Sequence, residues 1–203
     1  MTEGLDYGEG YSEKVVLEDG TRAQLRLIRP DDKALMLEAW ERLSPESRYR
    51  RFFAAKASLS DAELRYLTEV DNVDHVAIGA TRRRRGKTEA LGVARFIRLA
   101  GRPTVADAAV TVVDDVQGKG LGRILLSRLI AAGRERGIET FSCDVLADND
   151  GMRGLIRSLV PDAVERSEGP IVTVEMPLVD VVAPDAEEPR NMLHRLLALI
   201  SRG

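Results

Sequence analysis

The residues Gln117-Gly118-Lys119-Gly120-Leu121-Gly122 place glycines at alternate positions, directly ahead of an apolar pattern of helical period. Glycines let backbone N–H groups approach an anion closely, and a helix N-terminus favours negative charge, so the stretch reads as a pyrophosphate cradle. Two familiar phosphate loops fail on spacing. The dinucleotide fingerprint requires a third glycine where Arg123 stands, and a P-loop would need glycine at Thr81, five residues before Gly86-Lys87-Thr88. Carboxylates stand on the segments before and after the glycine loop, Asp107 and Asp144 among them, and Asn149 opens the next helical pattern.

These residues need elements to hold them. Residues 15–17 and 24–28 flank the turn Glu18-Asp19-Gly20 and read as a hairpin. Apolar residues at Leu35, Met36, Ala39, Trp40 and Leu43 predict a helix from Asp31. Ser44-Pro45-Glu46 opens a second helix, and Ser60 with Glu63 has the reciprocal capping pattern of a third. Strands are expected at residues 75–80, 91–99 and 106–113, the first two joined by the polar segment 81–89. Leu121, Ile124, Leu125, Leu129 and Ala132 then switch to helical period, and Gly137 closes that helix. A strand at 141–146, a helix capped by Asp148 or Asn149 and stopped by Pro161, and a strand pair at 163–166 and 171–178 complete the domain. The expectation is an α/β (α+β) fold with a mixed twisted sheet of six to seven strands flanked by helices. Its divisions are a flexible N-terminus over 1–14, the domain over 15–179, a proline-rich acidic linker over 180–190, and an amphipathic C-terminal helix over 191–203. The apolar face of that last helix needs a partner, and its own domain, a homodimer contact and a regulatory flap all remain open.

Composition narrows the function classes. A chain of 203 residues with a net charge of −3 has room for one core and no global positive field to hold a nucleic acid. The single cysteine, Cys143, and two histidines give no basis for a disulfide or a resident metal, and Cys143 reads as a small core residue. With no signal-like or membrane-spanning apolar run, a cytoplasmic protein without membrane partners is expected. The basic run Arg82 to Arg85 with Lys87 reads as an exposed hairpin tip.

Gln117, Gly120 and Gly122 fit the [RQ]-x-x-G-x-[GA] signature of the GNAT superfamily of N-acetyltransferases, which residues 24–178 resemble. The runs Leu43-Ser44-Pro45-Glu46-Ser47-Arg48-Tyr49, Arg51-Phe52-Phe53, Leu64-Arg65-Tyr66-Leu67-Thr68 and Asp74-His75-Val76-Ala77 are similar to the acetyltransferase domain of bacterial Pat-type protein lysine acetyltransferases. The resemblance implies acetyl-CoA as co-substrate and an amine as acceptor, a protein lysine or a small molecule. It implies that Val112 and Val113 pair with the pantetheine arm and that Gln117, Gly118, Lys119, Gly120, Leu121, Gly122 and Arg123 hold the pyrophosphate. Asn149 would touch the arm near the thioester, cap its helix, or do both. A lysine amine with a pKa of about 10.4 is protonated at neutral pH, so transfer needs a base. Pat-type enzymes place a glutamate where this chain has Asp107, so the implied catalytic residue is one methylene shorter and a bridging water becomes part of the expectation. A tyrosine common on the last helix is replaced by Ile156, which leaves no general acid in view. Arg48, Arg50 and Arg51 fall where such enzymes build the acceptor side. A small-amine acetyltransferase and a non-catalytic acyl-CoA-binding regulator are the competing readings.

Overall fold

A computed structural model describes residues 6–178. The expected linker and C-terminal helix lie outside these described residues. Eight strands form one open sheet in the order β1-β2-β3-β4-β5-β6-β8-β7. They are β1 (Ser12–Val16), β2 (Arg22–Leu27), β3 (His75–Arg84), β4 (Lys87–Leu99), β5 (Arg102–Val112), β6 (Thr140–Leu146), β7 (Val164–Glu168) and β8 (Ile171–Pro177). The sheet therefore exceeds the expected six to seven strands. Its two edges, β1 and β7, both fall on segments read as strands, and they are five residues each and largely exposed. Edge strands pack on one neighbour only, so their hydrophobic signal is weak.

Two further expectations shift. The first strand starts at Ser12, inside the segment expected to be flexible, and Tyr7 and Tyr11 pack against the main core. Between β3 and β4 the polar segment is itself strand, with Arg82 paired to Glu89, Arg83 to Thr88 and Arg84 to Lys87. Backbone pairing extends the hairpin beyond its apolar residues, which leaves only Arg85 and Gly86 as the tip.

The described residues also form five α-helices: α1 (Lys33–Glu41), α2 (Pro45–Phe52), α3 (Asp61–Thr68), α4 (Leu121–Glu135) and α5 (Asp150–Leu159). Helix α4 buries Leu121, Leu125, Leu126, Leu129, Ile130 and Ala132 against β3, β4 and β5, each leucine or isoleucine worth about 1.5–3 kcal/mol of transfer free energy. Phe96 and Phe141 meet beneath it with ring centroids 5.5 Å apart. A separate cluster of Trp40, Leu43, Leu59, Leu64 and Leu67 joins α1 to α3. The capping chemistry is as expected: Ser44 Oγ accepts from the Ser47 amide, and Ser60 and Glu63 cap α3 reciprocally. Among the described residues no helix is long and apolar enough to cross a membrane.

Candidate active site

The sheet opens where its one parallel pair ends. Strand β5 stays paired to β4 as far as Val112, but pairs with β6 only through Val105, Ala106 and Asp107. From Cys143 onward β6 pairs with β8 alone, so the two central strands part and a cleft of about 540 Å³ lies between them. Strand hydrogen bonding alternates between edges. The amide of Val113 donates to Leu91 O on the β4 side at 3.0 Å, so Val112 points its polar groups into the cleft.

Helix α4 aims its N-terminus at the same cleft. Its N-cap is Gly120 at φ +82°, which supplies no side-chain cap, so the first-turn amides keep donor capacity for an anion. Gly118 is also left-handed, at φ +70°. Gln117 locks this loop in place, its Nε2 donating to Val112 O at 3.0 Å and to Ser47 Oγ and Asp114 Oδ1 at 3.3 Å. Arg42 clasps Asp115 at 2.8 Å, and the Ser44 amide donates to Asp114. Helix α2 is thus tied to the loop, which brings Arg50 and Arg51 to the cleft wall.

Asp107, Val112, Gln117, Gly118, Gly120, Gly122, Arg123 and Asn149 all line the cleft. Three other candidates do not. Val113 is 1% exposed with its amide committed to β4, Leu121 is 1% exposed in the core, and Lys119 turns away to pair with Asp19 at 3.0 Å. Alternation along β5 and the helical turn at Leu121 decide these orientations. Arg123 bridges to Ser158 Oγ on α5 at 2.7 Å. Asn149 caps α5 through Oδ1, which accepts from the Met152 amide at 3.2 Å, and its Nδ2 makes no hydrogen bond among the described residues. One side chain can therefore cap the helix and still donate into the cleft.

Asp107 stands exposed to the cleft at the fork of β5 and β6, with Asp144 and Cys143 also on its wall. Crowding by protein atoms raises its carboxyl above the usual range, Arg51 pulls it down, and Asp144 pushes it up again. Asp144 is held by Thr173, whose Oγ1 donates at 2.7 Å. Burial, with Asp107 and Asp144 beside it, pushes the Cys143 thiol up to about 12, so this sulfur stays protonated and is no nucleophile. Ile156 is 2% exposed at the cleft floor, and no tyrosine lines the cleft among the described residues.

Two features escaped the sequence reading. The turn of the β1–β2 hairpin lies against the loop, with the Glu18 amide donating to Lys119 O at 3.2 Å; no local pattern announces that contact. Arg95 is buried in β4 between Ala94 and Phe96, and a charge inside a buried apolar run was the available signal. Its Nη1 lies 3.1 Å from His75 Nε2, and its Nη2 donates to Leu67 O at 3.2 Å.

His75 is thereby set against a cation. Burial first, then Arg95, lower its pKa to about 4, with Asp71 opposing. The unfolded chain then binds a proton between about pH 6.5 and 4 that the folded chain refuses, so His75 makes stability fall as pH drops through that window. Urea unfolding at pH 7, 5 and 4 should show the wild type losing stability relative to His75→Gln; parallel losses would remove His75 as the cause.

The sequence model of the acetyltransferase (GNAT) family matches residues 34–159. Acetyltransferase Pat of Mycolicibacterium smegmatis is 34% identical over 192 residues, covering 93% of this chain, which spans 57% of that relative's length. Acetyltransferase PA5475 of Pseudomonas aeruginosa is 31% identical over 144 residues, 70% of this chain and 76% of that one. The crystal structure of the GNAT domain of S. lividans PAT superposes with a TM-score of 0.75 at 31% identity, over 84% of this chain and 99% of that chain. With the parted strands, the uncapped glycine loop and these similarities in agreement, the chain belongs to the GNAT family of acetyltransferases.

Proposed function

We propose that this protein binds acetyl-CoA in the cleft between β5 and β6 and transfers the acetyl group directly to an amine, with a protein lysine as the preferred acceptor. The observation that carries the reading is the parting of β5 from β6 directly above Asp107. It leaves an unpaired strand edge for an extended amide-bearing arm, ending at a helix N-terminus suited to a pyrophosphate. The dimensions suit the ligand, since a cleft of about 540 Å³ lies in the range of small-molecule sites. Similarity to Pat acetyltransferases supports the lysine preference.

In this reading the Val112 amide and Asn149 Nδ2 orient the arm, while the backbone of residues 118–123 holds the phosphates. Asp107 takes a proton from the incoming ammonium, directly or through one water, and the freed amine attacks the acetyl carbonyl. The thiol leaves with a pKa of about 8.5 and needs little help as an anion, which fits a floor built of Ile156. A protonated Cys143 removes the alternative of an acyl-enzyme on that residue.

Acetyl-CoA should raise the melting temperature, because a ligand of the native state at 100 times its Kd adds about 2.7 kcal/mol of stability. Mass spectrometry of a protein lysate incubated with enzyme and acetyl-CoA should then show acetylated lysines. No thermal shift at saturating acetyl-CoA would end the cleft assignment. Rapid turnover of a polyamine with no protein acetylated would end the lysine preference.

A further inference from the structure

A guanidinium inside an apolar cavity calls for an anion, and two of the three that line one cavity are not hydrogen-bonded to a carboxylate. The cavity, about 70 Å³, lies on the opposite side of β5 from α4, roofed by α1 and α3 residues such as Met36, Trp40 and Leu67. Three arginines reach it. Arg26 is neutralised by Asp32 through two hydrogen bonds of 2.7 and 2.6 Å. Arg95, 4% exposed, has only the His75 ring nitrogen and the Leu67 carbonyl. Arg51 lies over the Phe52 ring at 5.0 Å and makes no hydrogen bond or ion pair among the described residues.

Neither Arg51 nor Arg95 therefore has a hydrogen-bonded carboxylate, and Asp107 acts on Arg51 only through its field. The C-terminus of α3, which supplies the Leu67 carbonyl, offers about half a negative charge, so it offsets only part of one positive charge. Burial first and the nearby Arg51 second depress Arg95 to about 10, which is how an unsatisfied pair of like charges behaves. Position gives the cavity meaning. Arg51 and Thr111 line both this cavity and the acetyl-transfer cleft, and the field of Arg51 reaches Asp107. A group seated between the arginines belongs to a molecule whose amine can lie at Asp107. The small volume and apolar roof favour a planar carboxylate, which matches the guanidinium fork and gains strength where water is scarce.

We propose that Arg51 and Arg95 form a carboxylate subsite for the acceptor, so that the enzyme prefers an amine whose carrier presents a carboxylate beside it. That carboxylate belongs either to a free amino acid or to an acidic side chain flanking the acceptor lysine. The proposal rests on the acetyl-transfer reading of the cleft.

Matched acceptors test it through kcat/KM at saturating acetyl-CoA, followed by thiol release. One pair is lysine against lysinamide, the other a blocked lysine peptide flanked by glutamate against the same peptide with glutamine. Wild type should favour the carboxylate member of one pair by about 10–100-fold, the usual worth of a charged hydrogen-bonded pair, and Arg51→Gln should erase the preference. The ratio within each protein is the readout, because loss of Arg51 also alters Asp107 and changes both members alike. Arg51→Lys, which keeps the charge and loses the fork, should retain an intermediate preference. Preference confined to free lysine identifies an amino-acid acceptor; preference confined to the peptides identifies an acidic protein neighbour. Equal use of both members by wild type, or a preference that survives Arg51→Gln, overturns the subsite while leaving acetyl transfer standing. Absence of turnover with every acceptor counts against the transfer reading instead. The subsite is then read by propionate, which should raise the melting temperature of acetyl-CoA-saturated wild type but not of Arg51→Gln, against chloride at equal ionic strength. No propionate-specific shift overturns it.

Discussion

Asp107→Asn should lower kcat/KM for the acceptor by about 10²–10⁴, the usual contribution of a positioned general base, while the Kd for acetyl-CoA stays within about twofold. The substitution keeps size and hydrogen bonding but cannot take a proton. The side chain lies at the fork of β5 and β6, away from the α4 N-terminus, so the cofactor loop should not sense the change. The pH profile carries a second signature. A base works ionised, and crowding raises the Asp107 pKa above its usual 3.8, so the acid limb of wild-type kcat/KM should lie above the ordinary carboxylate range. Activity is then lost as pH falls through that raised value and is full above it. Asp107→Asn should abolish this limb together with most of the rate. Unchanged turnover in the variant would remove Asp107 as the base and turn attention to Asp144, which lines the same cleft.

Gly120→Val should weaken acetyl-CoA binding steeply, chiefly through backbone strain. Gly120 sits at φ +82°, where a β-branched residue costs about 1–3 kcal/mol, so the loop will swing toward an ordinary conformation. A Cβ there also meets Glu18 Oε1 at 2.9 Å, so the Glu18 side chain must turn aside. The displaced loop re-aims the amides at the start of α4. Loss of two charge-assisted hydrogen bonds, each worth about 1.5–3 kcal/mol, weakens binding by about 10²–10⁴. Calorimetric titration gives the Kd, and the unliganded melting temperature separates local disruption from unfolding. Adding Glu18→Ala removes the contact but not the strain, so it should restore little. Tight acetyl-CoA binding by a folded Gly120→Val would refute the pyrophosphate role of the loop.

Particular residues show which features the sequence carried. Ser44-Pro45, Ser60 with Glu63, Gly137 and Asn149 act within a turn of the helix they begin or end, and each caps or closes its helix as its type and spacing imply. Lys119 illustrates the opposite case. Its place in a glycine-rich loop suggested a phosphate contact, yet Asp19, a hundred residues earlier in the chain, holds it outside the cleft. Val113 and Leu121 differ from their neighbours for a subtler reason. They adjoin cleft residues in sequence, but strand alternation and helical rotation turn their side chains into the core.

The amino-acid order alone determined the local vocabulary: periodicity, caps, the glycine loop and the carboxylate ahead of it, because these depend on contacts a few residues apart. Only the tertiary structure decided where β5 and β6 separate, which loop residues face the gap, and that Arg51 from α2 and Arg95 from β4 share one cavity in which neither is hydrogen-bonded to a carboxylate. Those outcomes join residues 35 or more positions apart through backbone register and burial, and no short-range pattern encodes them.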